Sequence, residues 1–292
     1  MVGWCAILRQ VWHSREESKG LVPHSITVRQ LADFGTAVRR TVPAPVKHSY
    51  RALEWRVVLF RLWLRARHRR TRMVESIEVL RGLDDRAPVP SVLLSQLFYG
   101  WGNEDYAAEP EFLAAVVDAA RRARGPILEC GCGLSTLLLG IEADRRRLEV
   151  YSLEHDSTWA KRTRRALKRH GIGSVTIIVA RLRSYGDFAW YEPPRNELPS
   201  AFSLVVCDGP PHTTQGGRYG LLPVLRSHLE AGGEILLDDV GRDEDRRILD
   251  RWETEFGLHS TIHGVEKPFA RLRLPRSSNA LRVSAQAGRP TS

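Results

Sequence analysis

Ile127-Leu128-Glu129-Cys130-Gly131-Cys132-Gly133-Leu134-Ser135-Thr136 is the stretch that decides how this chain folds. A short apolar run ends in an acid, passes through a glycine-rich turn and continues into an apolar segment with helical character. That is a strand–loop–helix junction. Gly131 and Gly133 lack the Cβ atoms that would keep a ligand away from the backbone. The helix that follows offers the free N–H groups of its first turn.

The same grammar repeats outward from this turn. Strand-like runs fall at Pro126–Glu129, Glu149–Glu154, Val175–Val179, Leu204–Cys207 and Glu234–Leu237. Helical patterns fall at 110–123, where Pro110 suits the first turn, and at 135–142, 157–169, about 221–231 and 243–256. Asp156 or Ser157 can cap the helix at 157, and Gly171 follows its end. Two late strands, near 259–265 and 269–274, have no long helix between them and read as an antiparallel hairpin closing the sheet. Alternating strands and helices imply an α/β, doubly wound, mostly parallel sheet. In such sheets ligands bind beyond the carboxyl ends of the strands. The aromatic, glycine-rich segment Phe98–Tyr106 reads as a loop over a pocket, and no internal repeat is visible.

The strand ends therefore hold the chemistry. The second strand ends in Glu154, 21 residues past Gly133. An acid there can accept two hydrogen bonds from ribose hydroxyls. The fourth ends at Asp208, followed by Gly209-Pro210-Pro211-His212, and the fifth at Asp238 and Asp239. A dinucleotide fingerprint wants glycine or alanine where this chain has Thr136. Glu129 would also repel a pyrophosphate at the turn. S-adenosylmethionine carries a sulfonium and an ammonium group and no phosphate, so the charge pattern favours it over NAD.

With these residues in place, the chain resembles class I S-adenosylmethionine-dependent methyltransferases over about residues 98–274. Glu129-Cys-Gly131-Cys-Gly133-Leu-Ser135-Thr136 is similar to the family's first motif, and Leu153-Glu154-His155-Asp156 to its ribose-binding acid. Leu204-Val-Val-Cys-Asp208-Gly209-Pro-Pro and Gly233-Glu-Ile-Leu-Leu-Asp238-Asp239 resemble the motifs of its fourth and fifth strands. The resemblance implies a Rossmann-like methyltransferase fold of seven strands with a terminal antiparallel pair. It implies that Glu129, Gly131, Gly133, Ser135, Thr136, Glu154 and Asp208 hold S-adenosyl-L-methionine, and that Ala180-Arg181-Leu182 lies near the adenine. It also allows Mg²⁺-assisted O-methylation, because some small-molecule O-methyltransferases of this class bind the metal with acids after these strands.

Residue chemistry adds to this. Asp208, Asp238 and Asp239 have no evident compensating base in sequence, and three carboxylates are costly to bury unless paired or metal-bound. Oxygen ligands suit Mg²⁺, which would lower the pKa of an acceptor hydroxyl. The alternative is that Asp239 caps the next helix, Asp238 bonds backbone, and Asp208 alone faces the site. His212, in the loop after the fourth strand, is a candidate general base or an ordinary surface residue. Arg218 either anchors an acceptor carboxylate or phosphate or pairs with an acid. Trp190 and Tyr191 either line the acceptor pocket or pack the core. The expected enzyme methylates a small or medium acceptor, with Asp208 and His212 as catalytic candidates. The competing readings are an NAD(P)-dependent oxidoreductase and a non-catalytic membrane- or nucleic-acid-associated module.

Composition bounds the rest. The chain has 292 residues, 42% hydrophobic and 27% charged, which suits one large α/β domain plus extensions. Its formal charge of +10 is concentrated: residues 1–82 hold 16 Lys/Arg against 6 Asp/Glu, and the remainder balances at 28 against 28. The basic pI thus belongs to an N-terminal extension, 1–82, and not to the domain at 83–275; a tail, 276–292, is expected to fray. Residues 1–50, with Pro23, Pro43 and Pro45, read as loose. Residues 51–72 read as a basic amphipathic helix, with Arg61, Arg65, Arg69 and Arg72 on one side, Leu59, Phe60, Trp63 and Ala66 on the other, and Arg67 intruding. Its functional reading is a peripheral membrane contact; nucleic acid is not the expected partner. The plain reading is a solvated helix on the main domain, or sequence upstream of the true start. Cys5, Cys130, Cys132 and Cys207 form no disulfide or zinc pattern and read as small buried residues in a reducing, cytoplasmic protein. No apolar run is long enough for a transmembrane helix, and the first twelve residues do not suit a secretory signal.

Overall fold

The computed structural model describes residues 44–102 and 108–276. The expectations for residues 1–43, for the end of the aromatic stretch at 103–106, for Cys5 and for the tail beyond 276 lie outside the described residues.

The first element, α1 (Ala44–Gly82), is longer than the periodicity at 51–72 predicts. Residues 44–50 are helical, which corrects the reading of Pro45 as a breaker: it falls in the first turn, where no intrahelical N–H bond is needed. Compact packing divides the chain at Leu64–Arg65, within this helix. In the second unit, Met73, Ser76, Ile77 and Leu80 recur at helical spacing and are buried. They meet α2 (Ser91–Trp101), which buries Leu93, Leu94, Leu97 and Trp101. The first half of the expected aromatic loop is therefore helix. It stops at Gly102, whose φ of 73° provides the left-handed cap. Gly100 is set so close to α1 that a Cβ there would lie 2.9 Å from the Cβ of Met73.

Next come α3 (Pro110–Arg122), β1 (Ile127–Cys130), α4 (Leu134–Arg146), β2 (Val150–Glu154), α5 (Ser157–Arg169) and β3 (Val175–Val179). Asp156 caps α5, its carboxylate accepting the N–H groups of Thr158 and Trp159 at 2.7 and 3.1 Å. A short hairpin follows, β4 (Leu182–Ser184) with β5 (Ala189–Tyr191), then β6 (Phe202–Cys207), α6 (Leu221–Leu225), β7 (Leu229–Leu237), α7 (Asp243–Phe256), β8 (His259–His263) and β9 (Phe269–Arg273). The region around 226–237 departs from expectation. The helix predicted to 231 ends at Leu225, and β7 begins at Leu229. The register of β6 on β7 shifts between Phe202 and Leu204, and Gly232 at φ 79° lets the strand continue through this irregularity.

Seven strands form one sheet in the order β3-β2-β1-β6-β7-β9-β8. The first five run parallel, and β9 pairs antiparallel with both β7 and β8. This is the doubly wound Rossmann-like methyltransferase fold. The parallel strands β1, β2 and β6 and the end of β7 are buried on both faces, so their residues alternate between two cores, while β3 at the edge is only partly covered. Ile127, Leu204, Val206 and Leu236 join the core beneath α2–α5. Leu128, Val205, Cys207, Ile235 and Leu237 join the opposite core with Phe202, Leu221 and Trp252. Order reverses between β1 and β6, so the connections that leave their carboxyl ends turn to opposite sides of the sheet, the usual ligand position in open α/β sheets.

Candidate functional site

Glu129, on β1, is fully enclosed, and it organises the turn from within. Its Oε1 accepts the Ser135 hydroxyl at 2.7 Å, and its Oε2 accepts the hydroxyls of Thr136 at 2.7 Å and Ser152 at 2.6 Å. Burial pushes its pKa up to about 7 against the pull of these three donors. The Thr136 hydroxyl also accepts the Gly133 N–H at 2.7 Å, which tethers the start of α4. The expectation that the Glu129 charge meets a ligand is thus answered by three internal hydroxyls, with Ser135 and Thr136 among them.

The two glycines differ. Gly131 has φ 87°, and a Cβ on it would stand 2.8 Å from the Gly209 nitrogen. Its missing side chain makes room for the turn after β6. Gly133 has no atom of the described residues within 4 Å of its Cβ position, so this is the glycine that leaves the turn open.

Glu154, at the end of β2, reaches this turn. Its Oε2 accepts the Cys132 N–H at 3.1 Å, and its Oε1 accepts the Asp156 N–H at 2.8 Å. Sequence spacing and structure agree on this pairing of acid and glycine turn. Trp159, from the first turn of α5, donates its indole N–H to the Cys132 carbonyl. Arg162 lies 4.6 Å over Trp159 and 5.0 Å over Trp101, linking α2 to the same turn. Neither Trp159 nor Arg162 stands out in sequence, although they share a face at i, i+3 spacing, whereas Trp101 belongs to the aromatic segment at 98–106.

The acids of β6 and β7 converge on Arg218. Its guanidinium donates to the carbonyls of Asp208 and Asp238 and lies 3.2 Å from Asp208 Oδ1 and 3.7 Å from Asp239 Oδ2. Arg242 adds a second cation at 3.0 Å from Asp239 Oδ2. Burial would lower the pKa of Arg218, but the carboxylates around it outweigh that and raise it. Burial raises Asp208 and Asp238, helped by repulsion from Asp239 and opposed by Arg218. The premise of three carboxylates without a compensating base is therefore corrected. A fixed guanidinium takes the central place a metal would need, and Asp238 is 5% exposed. Among the described residues no set of three His, Cys, Asp or Glu side chains stands ready to hold a metal ion. The donor set does not fit Mg²⁺. Nor does Asp239 cap α7: that cap position is Arg242, and Asp239 itself adopts φ 58°.

Asp208 and Asp239 each remain about a quarter exposed, while Asp238 is enclosed. His212 is exposed in the turn beyond the cis Gly209–Pro210 bond. Trp190 and Tyr191 are fully buried in the core, which agrees with the packing alternative. The Tyr191 hydroxyl has no hydrogen-bond partner among the described residues, and a Cβ on Gly209 would stand 2.5 Å from it. Ala180 is bonded through its N–H to the Glu154 carbonyl at 2.8 Å, which brings the end of β3 beside that acid. Cys130, Cys132 and Cys207 are buried free thiols, as expected. No described helix is long and apolar enough to cross a membrane.

No protein-family model matches this chain, and no curated protein does either. Solved structures do. The chain is similar to an SAH-bound methyltransferase from Podospora anserina, at 17% identity and a TM-score of 0.45, over 88% of this chain and 99% of that one. An O-methyltransferase from Bacillus cereus in complex with SAH gives 16%, 0.45, 65% and 93% in the same order. A precorrin-6y C5,15-methyltransferase from Geobacter metallireducens gives 14%, 0.43, 59% and 95%. At these identities the likeness is one of fold, and the fold stands on its own strand order.

Proposed function

We propose that this protein is an S-adenosylmethionine-dependent methyltransferase acting on a small or medium acceptor. The observation that carries the reading is Glu154, whose carboxylate meets the Cys132 N–H of the glycine turn at 3.1 Å. An acid and a glycine turn at neighbouring parallel strand ends suit a nucleoside, with the ribose on the acid. The turn suits a phosphate poorly. A pyrophosphate at α4 would need the N–H groups of Cys132 and Gly133, and these are already taken by Glu154 and by the Thr136 hydroxyl. It would also face the Glu154 carboxylate. This replaces the argument from Glu129 and favours S-adenosylmethionine over NAD. The antiparallel β8–β9 pair supports the same choice.

The cofactor supplies an electrophilic methyl group on a sulfonium. Glu154 orients the ribose, and the first turn of α4 beside Gly133 takes the part of the cofactor nearest the backbone. The buried, unpartnered Tyr191 hydroxyl offers a hydrogen bond beside Gly209. Asp208, steadied by Arg218, binds the acceptor and takes its proton, with the exposed His212 as a second candidate for the same task. Positioning in line with the methyl group does most of the catalytic work. O-methylation is compatible with this reading, but Arg218 replaces Mg²⁺ as the counter-charge.

Calorimetric titration tests it. The full chain should bind S-adenosylhomocysteine saturably, with or without Mg²⁺, and not NAD⁺. Glu154→Gln should weaken that binding roughly 10-fold or more, as expected for a lost hydrogen bond to a charged group. NAD⁺ binding in place of S-adenosylhomocysteine would overturn the reading, and a strict Mg²⁺ requirement would overturn the role given to Arg218.

A further inference from the structure

The helix α1 presents an unusual surface before Leu64. Trp55, Leu59, Phe60 and Leu62 are 65%, 60%, 58% and 57% exposed. Single exposed apolar residues are ordinary, but four large ones within eight positions form a patch that calls for a partner. Arg56 and Arg61 are exposed among them. The sequence then turns strongly basic: seven arginines and no acid lie between Trp55 and Val74.

We infer that residues 55–64 dock this protein onto an anionic lipid surface. The apolar side chains enter the boundary between headgroups and acyl chains, and the arginines hold the headgroups. Arg56 and Arg61 can keep their guanidinium groups at headgroup level while their stems lie along the apolar surface. A ten-residue stretch of helix is about 15 Å long, half of a hydrocarbon core of about 30 Å, so this segment lies in the interface and does not cross it. The apolar content is what selects lipid over nucleic acid. A nucleic-acid surface would use the arginines and leave Trp55, Leu59, Phe60 and Leu62 in water. The inference is independent of methyl transfer.

Co-sedimentation of the full chain with vesicles tests it. One set is phosphatidylcholine alone, and the other contains phosphatidylserine. Binding is expected to the phosphatidylserine vesicles, to weaken with salt, and to shift tryptophan emission to the blue. Each arginine near the surface contributes roughly 5-fold in affinity. Arg56→Glu/Arg61→Glu should therefore cost at least roughly 25-fold. Leu59→Gln/Phe60→Gln should lose the emission shift and most of the binding. All four positions are exposed, so circular dichroism and unfolding midpoints of both variants should match the parent. Several results would overturn the inference: no preference for phosphatidylserine, parental binding by both variants, retention of nucleic acid but not vesicles, or self-association through Leu59 and Phe60 without vesicle binding.

Discussion

Replacing Gly131 by alanine should destabilise the fold far more than the same change at Gly133, two residues away. Gly131 has φ 87°, a conformation that costs an alanine about 1–2 kcal/mol. Its new Cβ would stand 2.8 Å from the Gly209 nitrogen and 3.0 Å from the Gly209 Cα. Those atoms cannot swing aside, because the N–H groups of Asp208 and Gly209 both bond to the Cys130 carbonyl, at 3.0 and 2.7 Å. Forcing a methyl group against fixed backbone adds about 1–3 kcal/mol. The sum is about 2–5 kcal/mol. For a domain of this size that lowers Tm by roughly 5–20 °C. Gly133 has φ −176° and nothing within 4 Å of its Cβ position, so Gly133→Ala should stay within about 1 kcal/mol of the parent. The order should reverse for ligand: Gly133→Ala should lose S-adenosylhomocysteine affinity, because its methyl group stands where the turn is open. Urea unfolding and calorimetric titration of the two variants read both quantities. Equal stability of the two variants would refute the assignment of Gly131 to the approach of Gly209.

Two other perturbations bear on the buried charges. Glu129 has its pKa raised from 4.5 to about 7, so it contributes stability that is fully present below 4.5 and is lost as pH rises through about 7. That is worth about 3 kcal/mol in order of magnitude; Glu129→Gln should flatten the slope of stability across this window in pH-dependent denaturation, and parallel profiles for the two proteins would contradict the burial argument. Arg218→Met leaves Asp208, Asp238 and Asp239 without their central cation and should cost about 3–5 kcal/mol at neutral pH. Asp208 and Asp238 have raised pKa values, so protonation should relieve part of that loss in mildly acidic urea titrations, and a loss independent of pH would mean that packing, not charge, is what Arg218 supplies.

The parallel strands were legible because burial on both faces turns them into short apolar runs with chemistry at one end. Val175–Val179 and the helices at 157–169 and 243–256 coincide with expectation. Glu154 was legible because the spacing of a βαβ unit is narrow. Less local features escaped. The strands of the β4–β5 hairpin have three residues each and include Arg183 and Ser184, too short and polar for a period. Arg218 reads in sequence either as an anchor for an acceptor or as a partner for an acid; only folding shows that it bonds Asp208 and Asp238, 10 and 20 residues away. The partners of Glu129 are hidden for the same reason: Ser135, Thr136 and Ser152 look like ordinary hydroxyl residues until β1, α4 and β2 meet.

That meeting has a consequence for heredity. Losing the Glu129 carboxylate strands three enclosed hydroxyls, and losing the hydroxyls strands a carboxylate, so substitution at any one position is penalised until the others change. The four residues should pass from ancestor to descendant as a unit. Distant kin of this chain are better sought by Glu-x-Gly-x-Gly-x-Ser-Thr joined to a downstream Ser-x-Glu than by its glycines alone, since a glycine turn needs only its glycines and this set needs four partners at once.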